Sequence, residues 1–322
     1  MNRLKIVIVG VAVLLIATAV GVVASRDRKQ PASPPEVPVA VLPAEVRVKA
    51  VERKAEPLER GEAALASGAV AIVCGMDEAT ADRYEARNDA LRSIARRRDL
   101  PKDDVEALLT YLRSHDDAMR VERVAALKND VMNLLRNQEP PVAGLAETLV
   151  AMSESGEHPP AVLDYCIQHL GAMVNELDEG KRALVREVFV KVAGEKGMSY
   201  AGTALYSLAE DRRATPSDDV ELRRLTVTLC APGANNAARI AAIQLAGQRG
   251  YVEALPIVRE TLSAPRRDAV LDIVCLGSLG LLGNSDDMQL ASQFANYDTR
   301  RAAAAKAAIK RIKERTDAGD RF

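Results

Sequence analysis

Two patterns of apolar and polar residues divide the chain. From Ile6 to Ala24 no side chain is charged, and basic residues flank this stretch on both sides. These 19 residues would span ~28 Å as a helix, which is close to the hydrocarbon thickness of a bilayer. From about residue 58 onwards apolar residues instead recur with a 3.6-residue period, which predicts a succession of amphipathic helices.

Residues 1–24 fit three interpretations: a transmembrane anchor, a cleaved signal peptide or a buried core helix. The apolar stretch is longer than the ~7–15 residues typical of a signal peptide, so we expect an anchor. Cleavage between Ala24 and Ser25 would instead give a secreted protein. The flanking basic residues are nearly balanced. We expect the large helical region to lie outside the cytoplasm, in the periplasm or at the cell surface, because short N-terminal tails usually stay inside.

A linker and a helical region follow the predicted anchor. Residues 25–57 contain six prolines, which prevent regular helix and predict an extended linker of up to ~3.1 Å per residue. We divide the remainder into a helical region of divergent repeats (58–198), clearer repeats (199–315) and a short tail (316–322).

Several apolar stripes mark individual helices in the region after residue 57. They are Leu65–Ala69–Ile72–Val73, Val105–Leu108–Leu109–Leu112, Leu163–Cys166–Ile167–Leu170–Val174, Leu184–Val185–Val188–Phe189–Val192 and Ala201–Ala204–Leu205–Leu208. Proline and glycine punctuate them, notably at 140–141, 159–160, 194–197, 216, 232–233 and 265. The loops are short, so the pattern predicts helix, turn, helix, turn throughout.

The last third of the chain is internally similar. Residues 241–250 align with residues 274–283, which places Gly247 over Gly280 and Gly250 over Gly283 at an offset of 33. Residues 302–312 form a weaker third copy, and arginine precedes each copy. Helices over 252–262 and 286–294 separate the copies. Small residues, including Ala241, Ala242, Ala246 and Gly277, predict close approach of neighbouring helices.

This arrangement resembles HEAT-like repeats, in particular the shorter type named for phycobilisome lyases. The resemblance covers roughly residues 199–315, although a period of 33 is shorter than the ~40–47 residues of full HEAT units. It implies an all-α fold in which antiparallel helix pairs stack into an α-solenoid with an extended binding surface. By the same resemblance, one face would carry a partner-binding surface. Its candidate residues are Arg239, Arg267, Arg300, Arg301, Lys310 and Arg311.

Composition narrows the fold class and the function. Hydrophobic residues make up 48% of the chain but aromatic residues only 3%, which favours close-packed helices over a sandwich or barrel. Lys plus Arg number 44 and Asp plus Glu 45, a balance that argues against a general nucleic-acid binder. One basic segment stands out, the final helix from Arg300 to Arg315. It could bind an anionic partner, or it could be the polar cap that a solenoid needs at its end.

No pattern of chemistry-bearing residues predicts a catalytic, cofactor or metal site. The chain has three histidines and no recognisable catalytic or nucleotide motif. Cys166 and His169 could supply two metal ligands, but zinc needs four. Four cysteines would permit two disulfides, yet Cys166, Cys230 and Cys275 lie on apolar stripes and are predicted to be buried thiols.

These observations predict a membrane-tethered, non-catalytic scaffold that binds a protein or peptide partner. An alternative is a structural subunit of a cell-envelope assembly. A lyase-type enzyme is a further alternative, but it depends on fold analogy alone.

Overall fold

In a computed structural model of the protein, residues 67–265 and 268–319 are described. The predicted anchor at 6–24, the predicted linker at 25–57 and Arg267 lie outside these ranges. Within them all regular secondary structure is helical and no strand occurs, which confirms the predicted all-α class. None of the helices in these ranges combines the length and the apolar character needed to cross a membrane.

Fourteen α-helices and one short 3-10 helix, Val252–Ala254, make up the described residues. The α-helices are α1 Gly68–Val73, α2 Tyr84–Ile94, α3 Lys102–Arg113, α4 Val121–Arg136, α5 Leu145–Ser155, α6 Pro160–Met173, α7 Glu179–Gly194, α8 Ala201–Ala209, α9 Pro216–Cys230, α10 Asn236–Arg249, α11 Leu255–Ser263, α12 Ala269–Leu282, α13 Asp287–Ser292 and α14 Thr299–Gly319.

The helices pack in the order in which they occur in the chain. Each odd-numbered helix packs on the even-numbered helix that follows it, which gives seven hairpins in the described residues. The even-numbered helices also pack on one another from α2 to α14, and we call this series the even-helix row. The odd-numbered helices form a second series, the odd-helix row, in which the 3-10 helix joins α9 to α11. Every substantial contact joins helices one or two places apart in the chain.

Local sequence signals explain where the helices begin and end. Thr215 caps α9 in a reciprocal arrangement with Asp218, and Pro216 occupies the first helical position. The side chains of Asp178, Asn235 and Asp268 accept backbone N–H groups at the starts of α7, α10 and α12. These signals agree with the predicted breaks, all of which fall between helices or at a helix start.

The predicted apolar stripes form the core between the two rows. All five residues of the stripe in α6 are buried, as are the stripes in α3 and α8 apart from the partly buried Val105. Leu184 of α7 is 39% exposed, so its predicted place in the core is wrong. In the predicted stripe of α1, Val73 is buried but Ala69 and Ile72 are partly exposed, and Leu65 lies outside the described residues. The three similar sequence copies lie on α10, α12 and α14, so all three occupy the even-helix row.

Glycine meets a small residue at each contact of the even-helix row from α6 to α14. A methyl group on Gly202 of α8 would lie 2.5 Å from Cβ of Ala241, and one on Gly247 of α10 would lie 3.0 Å from Cα of Ser278. Gly171 of α6 meets Ser207 in the same way, and Gly280 of α12 meets Ala308. We call these four contacts the glycine seam. They confirm the predicted close approach at Gly247 and Gly280.

Gly277 does not take part in the glycine seam, so its predicted packing role is wrong. A methyl group at this position would meet no atom within 4 Å. Gly277 and Gly280 therefore differ sharply, although they lie three residues apart in one helix.

The seam predicts opposite effects for two matched substitutions in α12. Gly280→Ala would place a methyl group 2.9 Å from the backbone of Ala308. Because overpacking costs ~1–3 kcal/mol, we expect the free energy of unfolding to fall. Gly277→Ala should raise it by up to ~1 kcal/mol, since alanine is the better helix former. Urea unfolding of the full chain, followed by circular dichroism, measures both values. Equal effects of the two substitutions would contradict the seam.

Candidate interaction surface

The solvent-facing side of the even-helix row changes its chemistry along the chain. On α4 it presents amides, with Asn129, Asn133 and Asn137 at successive turns. On α12 it presents Val274, which is partly exposed, and Leu281, which is 41% exposed. On α14 it presents basic residues. This surface is the candidate site for a partner, because the odd-helix row and the core cover the opposite side of these helices.

Arg239, a predicted partner-binding residue, lies near the start of α10 and is half-buried. Its Nε donates to the carbonyl of Cys230 at 2.8 Å, and its Nη2 donates to Oγ1 of Thr261 at 2.5 Å. The side chain therefore links the end of α9 and the end of α11 to α10. Its hydrogen bonds are used within the fold.

Four other predicted residues lie together on α14. Arg301 pairs with Asp272 of α12 at 3.2 Å and with Asp298, and its guanidinium lies 4.7 Å from the centre of the Tyr297 ring. The remaining three, Arg300, Lys310 and Arg311, are exposed. The structure thus brings these four residues to one helix, α14. Arg239 lies on α10, two positions earlier in the even-helix row.

Some of the basic side chains near helix ends serve the fold. Arg315 donates to the carbonyls of Leu281 and Gly283 at the end of α12, and Arg249 donates to the carbonyl of Ala209 at the end of α8. Such donors satisfy carbonyls that have no partner within their own helix. Arg315 therefore stabilises the contact between α14 and α12, so part of the positive charge of α14 is used within the fold.

A polar groove lies between α2 and α4 and has a volume of about 360 Å³. Asn88 of α2 faces Asn133 and Asn137 of α4 across it, and the buried side chains of Leu91 and Leu134 line it as well. We call this the amide groove and define it by these five residues.

One carboxylate and one guanidinium also line the amide groove. Burial raises the pKa of Asp130 above its ordinary value, and the nearby positive charge of Arg92 opposes this shift in part. The groove therefore has one charge of each sign, and Tyr84 and Ala95 complete its lining beside the amides and the leucines.

A second groove of about 530 Å³ lies at the turns within the third and fourth hairpins, α5–α6 and α7–α8. Its lining includes Leu163, Val188 and the partly exposed Met198, so it is more apolar than the amide groove. Glu154 and Lys191 face each other at 3.8 Å beside it.

Arg87 is buried where α1, α2 and the loop after α3 meet, with 1% of its surface exposed. Its Nη1 lies 2.8 Å from the carboxylate of Asp116, and its Nε donates to the carbonyl of Val73 at 2.9 Å. The guanidinium carbon is 5.1 Å from the centre of the Tyr111 ring. These contacts join three segments of the chain around one cation.

Lys128 approaches the same tyrosine from α4 and is equally buried. Its Nζ donates to the carbonyls of Leu112 and Ser114 at 2.8 and 2.6 Å, which caps the end of α3. Burial lowers the pKa of Lys128 to about 8, although Asp116 opposes this shift. The lysine thus binds α4 to α3 within the second hairpin.

Asp211 anchors a second cluster of buried charges, after α8. Its side chain is fully buried, and Arg182 and Arg186 of α7 approach it at 2.9 and 2.7 Å. Arg186 also pairs with Asp218 at 2.8 Å, at the start of α9. Burial alone would raise the pKa of Asp211, but the hydrogen bonds from both arginines outweigh it and hold this pKa below its ordinary value.

Two histidines are buried at helix contacts. His169 of α6 makes a 3.1 Å hydrogen bond through Nε2 with Oδ1 of Asn129 on α4. His158 stacks on His115 with ring centres 6.2 Å apart. Burial lowers the pKa of each of His158 and His169 to about 4, and positive charge at Lys128 adds to the shift of His158.

The cysteines are free thiols, and Cys166, Cys230 and Cys275 are buried as predicted. Burial raises the pKa of each of these three thiols to about 12. Among residues 67–265 and 268–319, no three His, Cys, Asp or Glu side chains are grouped to hold a metal ion. His169 uses one ring nitrogen for Asn129, so the fold gives this histidine a structural contact.

The buried charges were missed by sequence reasoning, although their positions carry a signal. Lys128 lies four residues from both Val124 and Met132, on the apolar stripe of α4. Arg182 precedes Val185 by three residues, which places it on the core face of α7. A lysine or arginine at a position within the apolar stripe of a helix could have indicated a buried ion pair or a side chain that caps helix carbonyls.

No protein-family model matches this sequence, and no curated protein matches it.

The Asp211 cluster predicts a large loss of stability on neutralisation. Asp211→Asn would remove the fully buried carboxylate that Arg182 and Arg186 share and would leave them only Glu179 and Asp218, so we expect the free energy of unfolding at pH 7 to fall by up to ~3–5 kcal/mol. Glu221→Gln is the matched control, because it removes a carboxylate from the exposed pair with Arg224 and should cost less than ~1 kcal/mol.

The difference in unfolding free energy between wild type and Asp211→Asn should depend on pH with a definite sign. Because the native pKa of Asp211 is lowered, its stabilisation is present above the unfolded-state pKa of ~4 and is lost as the pH falls through the native value. Urea unfolding of wild type and variant at several pH values measures the difference. A difference that persists unchanged into strong acid would contradict the assignment.

The buried histidines predict a second acid effect at higher pH. In the unfolded chain they would bind protons near pH 6.5, whereas in the native state they do so only near pH 4. The unfolded state therefore binds more protons over this interval, and the unfolding free energy should fall as the pH drops from 6.5 towards 4. The His158→Gln/His169→Gln double variant should show a flatter profile in urea unfolding. An unchanged slope would show that other groups cause the dependence.

Proposed function

We propose that the helical region is a HEAT-like α-solenoid that acts as a non-catalytic scaffold for a protein or peptide partner. We further propose that residues 6–24 tether it to a membrane, with the helical region outside the cytoplasm. The observation that carries the proposal is the order of helix packing. Each odd-numbered helix contacts the even-numbered helix that follows it, and helices two places apart contact one another, with the 3-10 helix bridging α9 and α11, so every hairpin extends both rows and the exposed side of the even-helix row.

A repeated ion pair supports the interpretation as repeats. In three successive hairpins an arginine on the odd-numbered helix pairs with an acid that follows the even-numbered helix. The pairs are Arg182 with Asp211 at 2.9 Å, Arg223 with Glu253 at 3.3 Å and Arg259 with Asp287 at 2.7 Å. The two residues of each pair are 29, 30 and 28 positions apart in the chain. These three hairpins therefore share an ion pair at equivalent places.

The glycines of the two clearer copies support the alignment only in part. Gly247 and Gly280 occupy equivalent places in the seam, each against a small residue of the next even-numbered helix. Gly250 ends α10 with a positive φ of 72°, whereas Gly283 ends α12 in an extended conformation. The repeats therefore share a packing contact but differ in how their helices end.

The use of charge within the fold supports binding over catalysis. The most deeply buried ionisable groups, among them Arg87, Lys128 and Asp211, fasten helices or cap their carbonyls. Arg87 keeps one buried nitrogen, Nη2, without a hydrogen-bond partner, but its Nε and Nη1 both donate within the fold. The amide groove contains groups suited to binding. A scaffold needs a stable surface of this kind, and it needs no catalytic acid or base whose pKa is tuned for proton transfer.

A photocrosslinking experiment tests the scaffold. A photoreactive amino acid replaces Gln168 or Gln244 on the even-helix row of the full-length protein in its native cells. Matched controls carry it at Glu106 or Glu187, which are exposed on the odd-helix row. We expect both even-row positions to give an adduct with the same partner protein in the membrane fraction, and the odd-row positions to give none.

Three outcomes would contradict parts of this proposal. Absence of an adduct at all four positions would oppose the scaffold, and equal adducts from both rows would oppose the assigned side. Recovery of the protein and its adducts in the soluble fraction would oppose the membrane tether.

A further inference from the structure

We infer that the amide groove binds the backbone of an extended segment of a partner protein. This inference rests on the proposed scaffold function and adds the chemistry of the ligand. It assigns binding to α2 and α4, at some distance in sequence from the basic helix α14 that the sequence pattern singled out.

The first argument is the unused hydrogen-bonding capacity of the groove. The side-chain amides of Asn88, Asn133 and Asn137 make no hydrogen bond within the described part of the chain, whereas Asn129 next to them is held by His169. An asparagine amide offers N–H donors and a carbonyl acceptor. In an extended chain the N–H and the C=O of one residue point to the same side, so one asparagine amide can pair with both groups of that residue.

The second argument is the spacing of the amides. Asn133 and Asn137 are four residues apart on α4, which corresponds to ~6 Å along the helix axis. In an extended peptide, groups that point to the same side repeat every two residues, or every ~6.6 Å. A strand that runs along α4 would therefore present the N–H and C=O of every second residue to successive amides. Asn88 on the opposite wall faces the other edge of the same strand.

The third argument concerns the charge and the floor of the groove. Arg92 and Asp130 give it one charge of each sign, so it has no preference for an anion such as a phosphate backbone. Leu91 and Leu134 provide an apolar floor for small side chains. This combination suits a neutral main chain that carries apolar residues, and it is poorly suited to nucleic acid.

The packing of the even-helix row explains why a groove exists here. Neither α2 nor α4 contains glycine, and the glycine seam begins only at α6. No glycine of the seam lies between α2 and α4, and the amide groove occupies space between these two helices.

Binding of selected peptides to the full-length protein tests the inference. The probe is a fluorescein-labelled dodecapeptide, selected on the full-length protein from a phage-displayed random library and measured by fluorescence anisotropy. We expect Asn133→Ala/Asn137→Ala to weaken its binding at least tenfold. The Asn133→Asp/Asn137→Asp variant keeps the side-chain shape but removes the N–H donors, and it should weaken binding similarly. Gln289→Ala/Gln293→Ala removes two exposed amides, also four residues apart, at α13 of the odd-helix row; it is the matched control and should leave the Kd unchanged.

A second arm distinguishes main-chain recognition from side-chain recognition. The same dodecapeptide with N-methyl groups on alternate residues keeps its side chains but loses N–H donors, so it should bind at least tenfold more weakly in one of the two registers. Undiminished binding in both registers would overturn backbone recognition. Failure to select any peptide, or equal binding to the Asn133/Asn137 variants and wild type, would overturn the groove assignment.

The two proposals can fail separately. If Gln168 and Gln244 capture a common partner while the groove variants bind the peptide normally, the scaffold stands and the groove assignment falls. If the peptide binds in the groove but no partner is captured on the even-helix row, the scaffold proposal falls and the groove remains a peptide site.

Discussion

The close contact between neighbouring even-numbered helices determines how the hairpins stack. From α6 to α14, glycine on one helix meets serine or alanine on the next, which allows the two backbones to approach. Glycine within a helix costs ~1 kcal/mol relative to alanine, so the packing gained at each contact must exceed this cost. At one contact Ser278 also donates to the carbonyl of Ile243 at 2.7 Å, which adds a hydrogen bond where Gly247 leaves room.

Ion pairs act together with the glycine seam to position the helices. The seam sets the distance between even-numbered helices, and the arginine–acid pairs link α7, α9 and α11 to the ends of their hairpins. Of these three pairs, the one at Asp211 is buried on both sides, whereas Arg223 and Glu253 are about half exposed. Buried ion pairs add little net stability when compared with well-packed apolar residues, but the loss of one partner is costly. Such pairs therefore penalise a misplaced hairpin, which is useful where many similar hairpins could pack in the wrong register.

The helical class and most helix boundaries could be predicted, because the apolar period and the proline and glycine breaks are local signals. The contrast between Gly280 and Gly277 could not be predicted, since it depends on which face of α12 meets α14. The asparagines at 129, 133 and 137 are visible in the sequence as one face of a helix. That this face lies beside Asn88 requires the tertiary contact of α2 with α4, which periodicity does not encode.

The boundary between the groove and the seam has a consequence for binding. Where glycine brings the helices together, from α6 onwards, little space remains between backbones, and a partner would meet side chains such as Val274 and Leu281. Where α2 and α4 are held apart, a main chain can enter between them. Under the two proposals, one row of helices would offer two modes of recognition, one in the amide groove and one along the helices of the glycine seam. A change in glycine placement would move this boundary without altering the order of the helices.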